Sequence, residues 1–167
     1  MTTRRALLTT AALLPVAGCA TIKGWLASTT PAQWATDIAS VASWGPQIVA
    51  ELKALNVAQA TIAQVQSLFA TVQADAAAVA TATANVVTGT TVAGYVQEAV
   101  QTITAICNVV MPLFPDTSPL VPIVDAFLAM VPFIASALGL TSAPMLTVKP
   151  HTAYTVAQAR ALLTAPH

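Results

Sequence analysis

The most regular pattern in the chain is an apolar residue repeated at alternating steps of three and four. One such seam runs from Trp34 to Leu55, and a second runs from Ile62 to Val86. This spacing keeps the apolar side chains on one face of an α-helix, so each seam predicts a helix that packs against another. The seam positions are Trp34, Ile38, Val41, Gly45, Ile48, Leu52 and Leu55, followed by Ile62, Val65, Phe69, Val72, Ala76, Val79, Thr83 and Val86.

Capping and turn signals divide these two seams. Thr30–Gln33 has the pattern of a capping box with a proline in the first helical turn, so we expect the first helix to begin at Pro31. The dipeptide Gly45-Pro46 predicts a kink or break, because proline removes one backbone hydrogen bond. A further break is expected near Asn56, interpreted as the N-terminal cap of the second helix. One long helix through this point is the alternative.

The third predicted helix carries two apolar stripes. It runs from about Val92 to Leu113, after a stop at Gly89, which is expected just past the second helix. Because two of its faces are apolar, we expect it to lie at the centre of the bundle. The stripes consist of Val96, Val100, Ile103, Cys107, Val110 and Phe114, and of Tyr95, Ala99, Ile106, Val109 and Leu113.

The fourth predicted helix, Pro119 to Leu138, is apolar on all sides, with Asp125 as its only charged residue. Its prolines at 122 and 132 are expected to kink or split it. Residues 141–154 should be extended, and Thr155–Gln158 is a capping box that opens a short last helix. The predicted fold is therefore all-α: a small antiparallel bundle of about four helices over 31–140, then an extended tail with a short helix over 141–167.

The N-terminus has a different pattern. Arg4 and Arg5 precede an apolar stretch over 6–16, and Val16-Ala17-Gly18-Cys19 follows. This resembles the lipobox of bacterial lipoprotein signals, in which a branched apolar residue, a small residue and Gly or Ala precede a cysteine. The resemblance implies diacylglyceryl transfer to the Cys19 sulfur, cleavage between Gly18 and Cys19, and fatty acylation, such as palmitate, of the new amino group. Residues 1–18 are then a cleaved signal peptide, and 19–30 a lipidated tether.

The alternative to a cleaved leader is an N-terminal membrane helix, but the apolar stretch over 6–16 is shorter than the roughly 20 residues that span a bilayer. The paired arginines leave two export routes open, the general secretory and the twin-arginine route. The residue after Cys19 is Ala20, not Asp. In a Gram-negative host, the resemblance therefore favours an outer-membrane anchor with the domain facing the periplasm.

The composition limits the chemistry that the mature domain could carry. Hydrophobic residues make up 56% of the chain and charged residues only 7%, and no basic patch occurs, which argues against nucleic-acid binding. The two histidines, His151 and His167, lie in the tail without a recognisable metal motif. Cys107 is interpreted as a small buried apolar residue. We therefore expect no catalytic residue, no metal and no cofactor.

Asp125 is the one polar residue of the fourth helix that needs an explanation. A carboxylate in an apolar helix is costly unless it is paired or reaches water. It could face solvent near the start of its helix, or it could be a buried polar point at an interface.

Three functions fit these observations. The first is a lipid-anchored envelope lipoprotein without catalytic activity, a helical module that binds a protein partner or its own copies. The second is a membrane-active protein that inserts residues 119–140 as a pore, lysis or spanning element. The third is a carrier of small apolar ligands between the helices.

Overall fold

A computed structural model of the chain describes residues 30–84, 89–137 and 146–165. Every regular element in these ranges is helical, which confirms the all-α prediction. In chain order the helices are α1 Pro31–Ser43, α2 Gly45–Ala54, α3 Gln59–Ala84, α4 Gly89–Val110, α5 Val121–Ala137 and α6 Val156–Leu163, with a 3-10 turn at Met111–Leu113 after α4. The proposed signal peptide lies outside the described residues, and so does the tether up to residue 29.

The helices pack as a bundle around α3 and α4. The long helix α3 contacts α1 and α2 as well as α4, and its contact with α4 is the most extensive in the bundle. Helix α5 packs on α4, and α6 packs on α5 and touches α1. Most positions of the apolar seams predicted from the sequence form the core, with Ile38, Leu52, Val72 and Val79 fully buried. Leu55, predicted as the last position of the first seam, is exposed because α2 ends at Ala54, and Val86 lies outside the described residues.

The break at Gly45-Pro46 is confirmed, and the structure gives its reason. Helix α1 ends at Ser43 and α2 begins at Gly45, so Pro46 lies in a first turn, where its missing N–H is not needed. A Cβ atom placed on Gly45 would lie 2.9 Å from Cγ of Phe69 on α3. The start of α2 therefore approaches α3 so closely that a larger residue would displace the ring.

The break near Asn56 is also confirmed, but the predicted role of Asn56 is wrong. Its φ of 56° is left-handed, and its N–H donates to Lys53 O at 3.0 Å. The N–H of Val57 donates to Leu52 O at 3.0 Å. These two bonds form the Schellman arrangement that ends a helix, so Asn56 terminates α2 and does not cap α3. Asparagine suits both roles, because it tolerates the left-handed region better than most residues.

Helix α4 corrects two further predictions. Gly89 is the first residue of α4 and not a stop after α3, so α4 begins three residues before the predicted Val92. The apolar stripe from Val96 to Val110 is buried as expected. The second stripe is buried at its centre, but its ends, Tyr95 and Leu113, are each 36% exposed. The central position of α4 is thus limited to its middle turns.

Helix α5 is continuous from Val121 to Ala137 although it contains Pro132, so the predicted split does not occur. The loop before it provides the cap, since the hydroxyl oxygen of Ser118 accepts from Leu120 N at 3.3 Å. The capping box of α6 is present as predicted. In α1 only half of the predicted box forms: Thr30 Oγ1 accepts from Gln33 N, while the Gln33 side chain donates to Asp37 at 3.2 Å.

Candidate functional site

Asp125 is fully buried, so the solvent-facing interpretation is wrong. Its Oδ1 accepts a hydrogen bond from His151 N at 3.0 Å, and its Oδ2 accepts one from Thr152 N at 2.8 Å. Two backbone donors of the C-terminal segment therefore replace the water that the carboxylate lost on burial. Asp125 on α5 therefore binds the backbone of the C-terminal segment.

The imidazole of His151 lies between two carboxylates. Its Nε2 is 3.0 Å from Oδ1 of Asp116, and its Nδ1 is 3.8 Å from Oδ1 of Asp125. The Asp116 side chain is 86% exposed, so this outer contact is open to solvent. Asp116 lies in the loop before α5, and its contact with His151 brings that loop to the tail.

A second contact fixes the tail at its far end. Arg160 on α6 donates from Nε to both carboxylate oxygens of Asp37 on α1, at 3.0 and 3.1 Å, and from Nη2 to Oδ2. The Asp37 side chain is 3% exposed, so this is a largely buried ion pair. Beside it, the indole N–H of Trp44 donates to Leu163 O at 3.0 Å.

These contacts together form what we call the tail clasp, defined by Asp37, Asp125, His151 and Arg160. It fastens the segment 146–165 to α1 and α5, whereas the sequence predicted only an extended tail with a short helix. Within the described ranges, no group of three or more His, Cys, Asp or Glu side chains is placed to hold a metal ion. The chemistry that the clasp shows is charge-assisted hydrogen bonding.

Asp75 on α3 is, like Asp37, a buried carboxylate that the sequence analysis missed. It is 6% exposed, and its Oδ2 is buried without a hydrogen-bond partner. Burial raises the pKa of the Asp75 carboxyl to about 6, and the charge of Glu98 on α4 adds to the rise. A signal was available, because Asp75 lies three residues after Val72 and four before Val79, on their face of the helix.

Of the remaining predicted residues, the structure describes Cys107 but not Gly18, Cys19 or His167. Cys107 is fully buried, as expected, and desolvation raises the pKa of its thiol, so that it stays protonated and unreactive. Gly18 and Cys19, the cleavage and lipidation residues, lie outside the described residues, and so does His167.

An open groove of about 1000 Å³ runs between α1–α2 and α3. Its walls are mostly small side chains, and Phe69 and Val49 are among its apolar residues. Lys53 is the one charged residue among those that line it. Such a surface offers shape and van der Waals contact but few directed hydrogen bonds.

Comparison with known proteins gives no relative. No known protein family, no curated protein and no solved structure matches the chain. None of the helices in the described ranges is both long enough and apolar enough to span a bilayer.

Proposed function

We propose that the protein is a lipid-anchored lipoprotein of the bacterial cell envelope, and that its helical domain is a structural or interaction module without catalytic activity. The observation that carries this proposal is the leader, in which Arg4 and Arg5, an apolar stretch and Val16-Ala17-Gly18-Cys19 occur in the order of a lipoprotein signal. Two or three fatty chains on Cys19 would hold the domain at a membrane almost permanently, because each buried methylene adds about 0.8 kcal/mol.

The use of charge in the folded domain supports a structural role. Asp37, Asp125 and Arg160 take part in the tail clasp, and Glu51 accepts a hydrogen bond from the Ser118 hydroxyl at 3.1 Å. These contacts join elements that are distant in sequence. These four charged groups thus hold helices and tail together.

The partner that we propose for the groove is a second copy of this chain. The exposed edge of α3 repeats small and amide side chains at steps of three and four, at Ala63, Gln66, Ala70, Gln73, Ala77, Ala80 and Ala84. This spacing is typical of a helix that packs closely on another, and two such edges can pair about a two-fold axis. Anchoring in one membrane would raise the effective concentration of the copies, so that a small interface suffices.

A membrane-active role that inserts residues 119–140 is the second candidate. The packing of α5 favours the bundle over insertion, because Val124, Asp125 and Phe127 are fully buried against the protein itself. Insertion would have to undo these contacts and release the tail.

Fatty-acid labelling tests the anchor. Cells that express the wild-type chain should incorporate labelled palmitate into the protein, and Cys19→Ala should remove the label, while the matched variant Cys107→Ala should keep it. Label that persists on Cys19→Ala would contradict the lipoprotein assignment. A soluble, helical product from residues 20–167 expressed alone would support the bundle, and its retention in vesicles after alkaline washing would support insertion.

Cross-linking tests the second copy. Gln73→Cys, near the middle of the exposed edge of α3, should give a disulfide-linked dimer in membranes under mild oxidation. Gln101→Cys, an exposed glutamine on α4, provides the matched control and should stay monomeric. Equal dimer yields from the two variants, or none from Gln73→Cys, would contradict pairing through the groove.

A further inference from the structure

The α3–α4 interface contains a carboxylate that the fold buries without a donor. Asp75 is 6% exposed, and its Oδ2 has no hydrogen-bond partner. It lies on the face of α3 that carries Val72 and Val79, both fully buried. An ionised carboxylate in this position loses hydration at Oδ2 without gaining a hydrogen bond there, which costs free energy.

Within the residues that the structure describes, no cation is paired with Asp75. Helix α4 brings Glu98, whose negative charge acts on Asp75, and also carries Tyr95 and the buried thiol of Cys107. On the other side of α3, Asp37 is held by Arg160 and Glu51 accepts from Ser118. Lys53 lines the groove and forms no ion pair with Asp75. A second carboxylate without a nearby cation disfavours a charge on Asp75.

We infer that Asp75 is a proton-binding site between α3 and α4, and that proton uptake there stabilises the pairing of these two helices in mildly acidic surroundings. Protonation removes both the buried charge and its repulsion with Glu98. The ligand is the proton itself, and the site consists of the orphaned Oδ2 and the carboxylate across the interface.

The direction of the pH effect follows from proton binding. The pKa of Asp75 is raised from 3.8 to about 6 in the folded chain, so the folded state binds more protons than the unfolded state between these values. Stability therefore falls as the pH rises through this window. The stabilisation by the proton is fully present below about pH 4, where Asp75 is protonated in both states. It is lost completely above pH 6 to 7.

The first test compares the full chain with Asp75→Asn, which keeps the shape and removes the titration. Relative to the variant, the unfolding equilibrium constant of the wild type should rise by tenfold to about a hundredfold between pH 4 and pH 7. Circular dichroism in urea at a series of pH values measures it. Parallel pH profiles for the two proteins would overturn the inference.

The second test reads the proton directly and does not depend on a variant's stability. Carbon NMR of the side-chain carboxyls, with Asp75 assigned by its loss in Asp75→Asn, should give a titration midpoint near pH 6. Glu98→Gln should move this midpoint downward while Asp75 stays buried. A midpoint at the ordinary value near 4 in the wild type, or one that Glu98→Gln leaves unchanged, would overturn the site as described.

Discussion

Asp37 on α1 and Asp75 on α3 occupy the same place in two different helices. Each directly precedes a seam residue, Ile38 or Ala76, and the two aspartates are 4% and 6% exposed. Asp37 receives three hydrogen bonds from Arg160 and one from Gln33, whereas Oδ2 of Asp75 has no partner and its carboxylate faces the charge of Glu98. The same local position therefore gives a fixed ion pair in one helix and a proton site in the other.

The difference comes from the tertiary contacts that other segments of the chain make with each aspartate. Arg160 comes from 123 residues away, because α6 folds back on α1. In the described ranges, no such segment brings a cation to Asp75, and α4 brings the charge of Glu98 instead. For a buried aspartate beside an apolar seam, the tertiary structure thus decides whether a cation or a proton neutralises its charge.

Removing the arginine should have the largest effect. Arg160→Ala leaves Asp37 with Gln33 as its only described side-chain donor and should destabilise the fold by about 2–4 kcal/mol, since one partner of a buried pair remains uncompensated. Urea unfolding at pH 7 measures the loss. Asp37→Asn on the same background should recover part of it, because the orphaned charge is removed. A loss below about 0.5 kcal/mol would show that the pair behaves like a surface salt bridge.

Asp125 tests whether backbone donors hold a buried carboxylate as firmly as an arginine does. Asp125→Asn weakens the bonds from His151 N and Thr152 N and should cost about 1.5–3 kcal/mol. It should also expose residues 146–165 to limited proteolysis. Asp116→Asn, the same change on a side chain that is 86% exposed, is the matched control and should cost about 0.5 kcal/mol or less. Similar losses for both variants would contradict a special role for the buried site.

Giving Asp75 a cation should produce the smallest effect and make it resemble Asp37. Glu98→Lys replaces the repelling charge by an attracting one and should stabilise the chain at pH 7 by about 0.5 kcal/mol, since position 98 is exposed. The pKa of Asp75 should fall below its wild-type value of about 6, which carboxyl NMR measures. An unchanged pKa would mean that burial alone sets it.

The helices and their core faces could be predicted from the sequence because periodicity reports which side of a helix is apolar. Trp34, Ile38 and Val41 are buried as their spacing indicates, and the breaks at Gly45-Pro46 and Asn56 follow from backbone preferences. Gly89 shows the limit of such local signals, since a glycine can begin a helix as well as follow one.

The contacts of the polar residues could not be predicted in the same way. Periodicity places Asp37 near a core face but does not say that Arg160 meets it, because that contact depends on how α6 folds back. The burial of Asp75 was within reach, since its distances from Val72 and Val79 were visible. The absence of a hydrogen-bond partner at Oδ2 of Asp75 could not be predicted, because it depends on the folded positions of all the neighbouring side chains.

The first and last described helices, α1 and α6, contact each other. Asp37 bonds to Arg160, and Trp44 bonds to the carbonyl of Leu163, so the first and last described helices share one seam. A pulling force applied between the two ends of the described chain would load this seam before it reached the interior helices. The mechanical strength of the domain should therefore be set by a handful of polar bonds at its ends, while its apolar core would be shielded until they part.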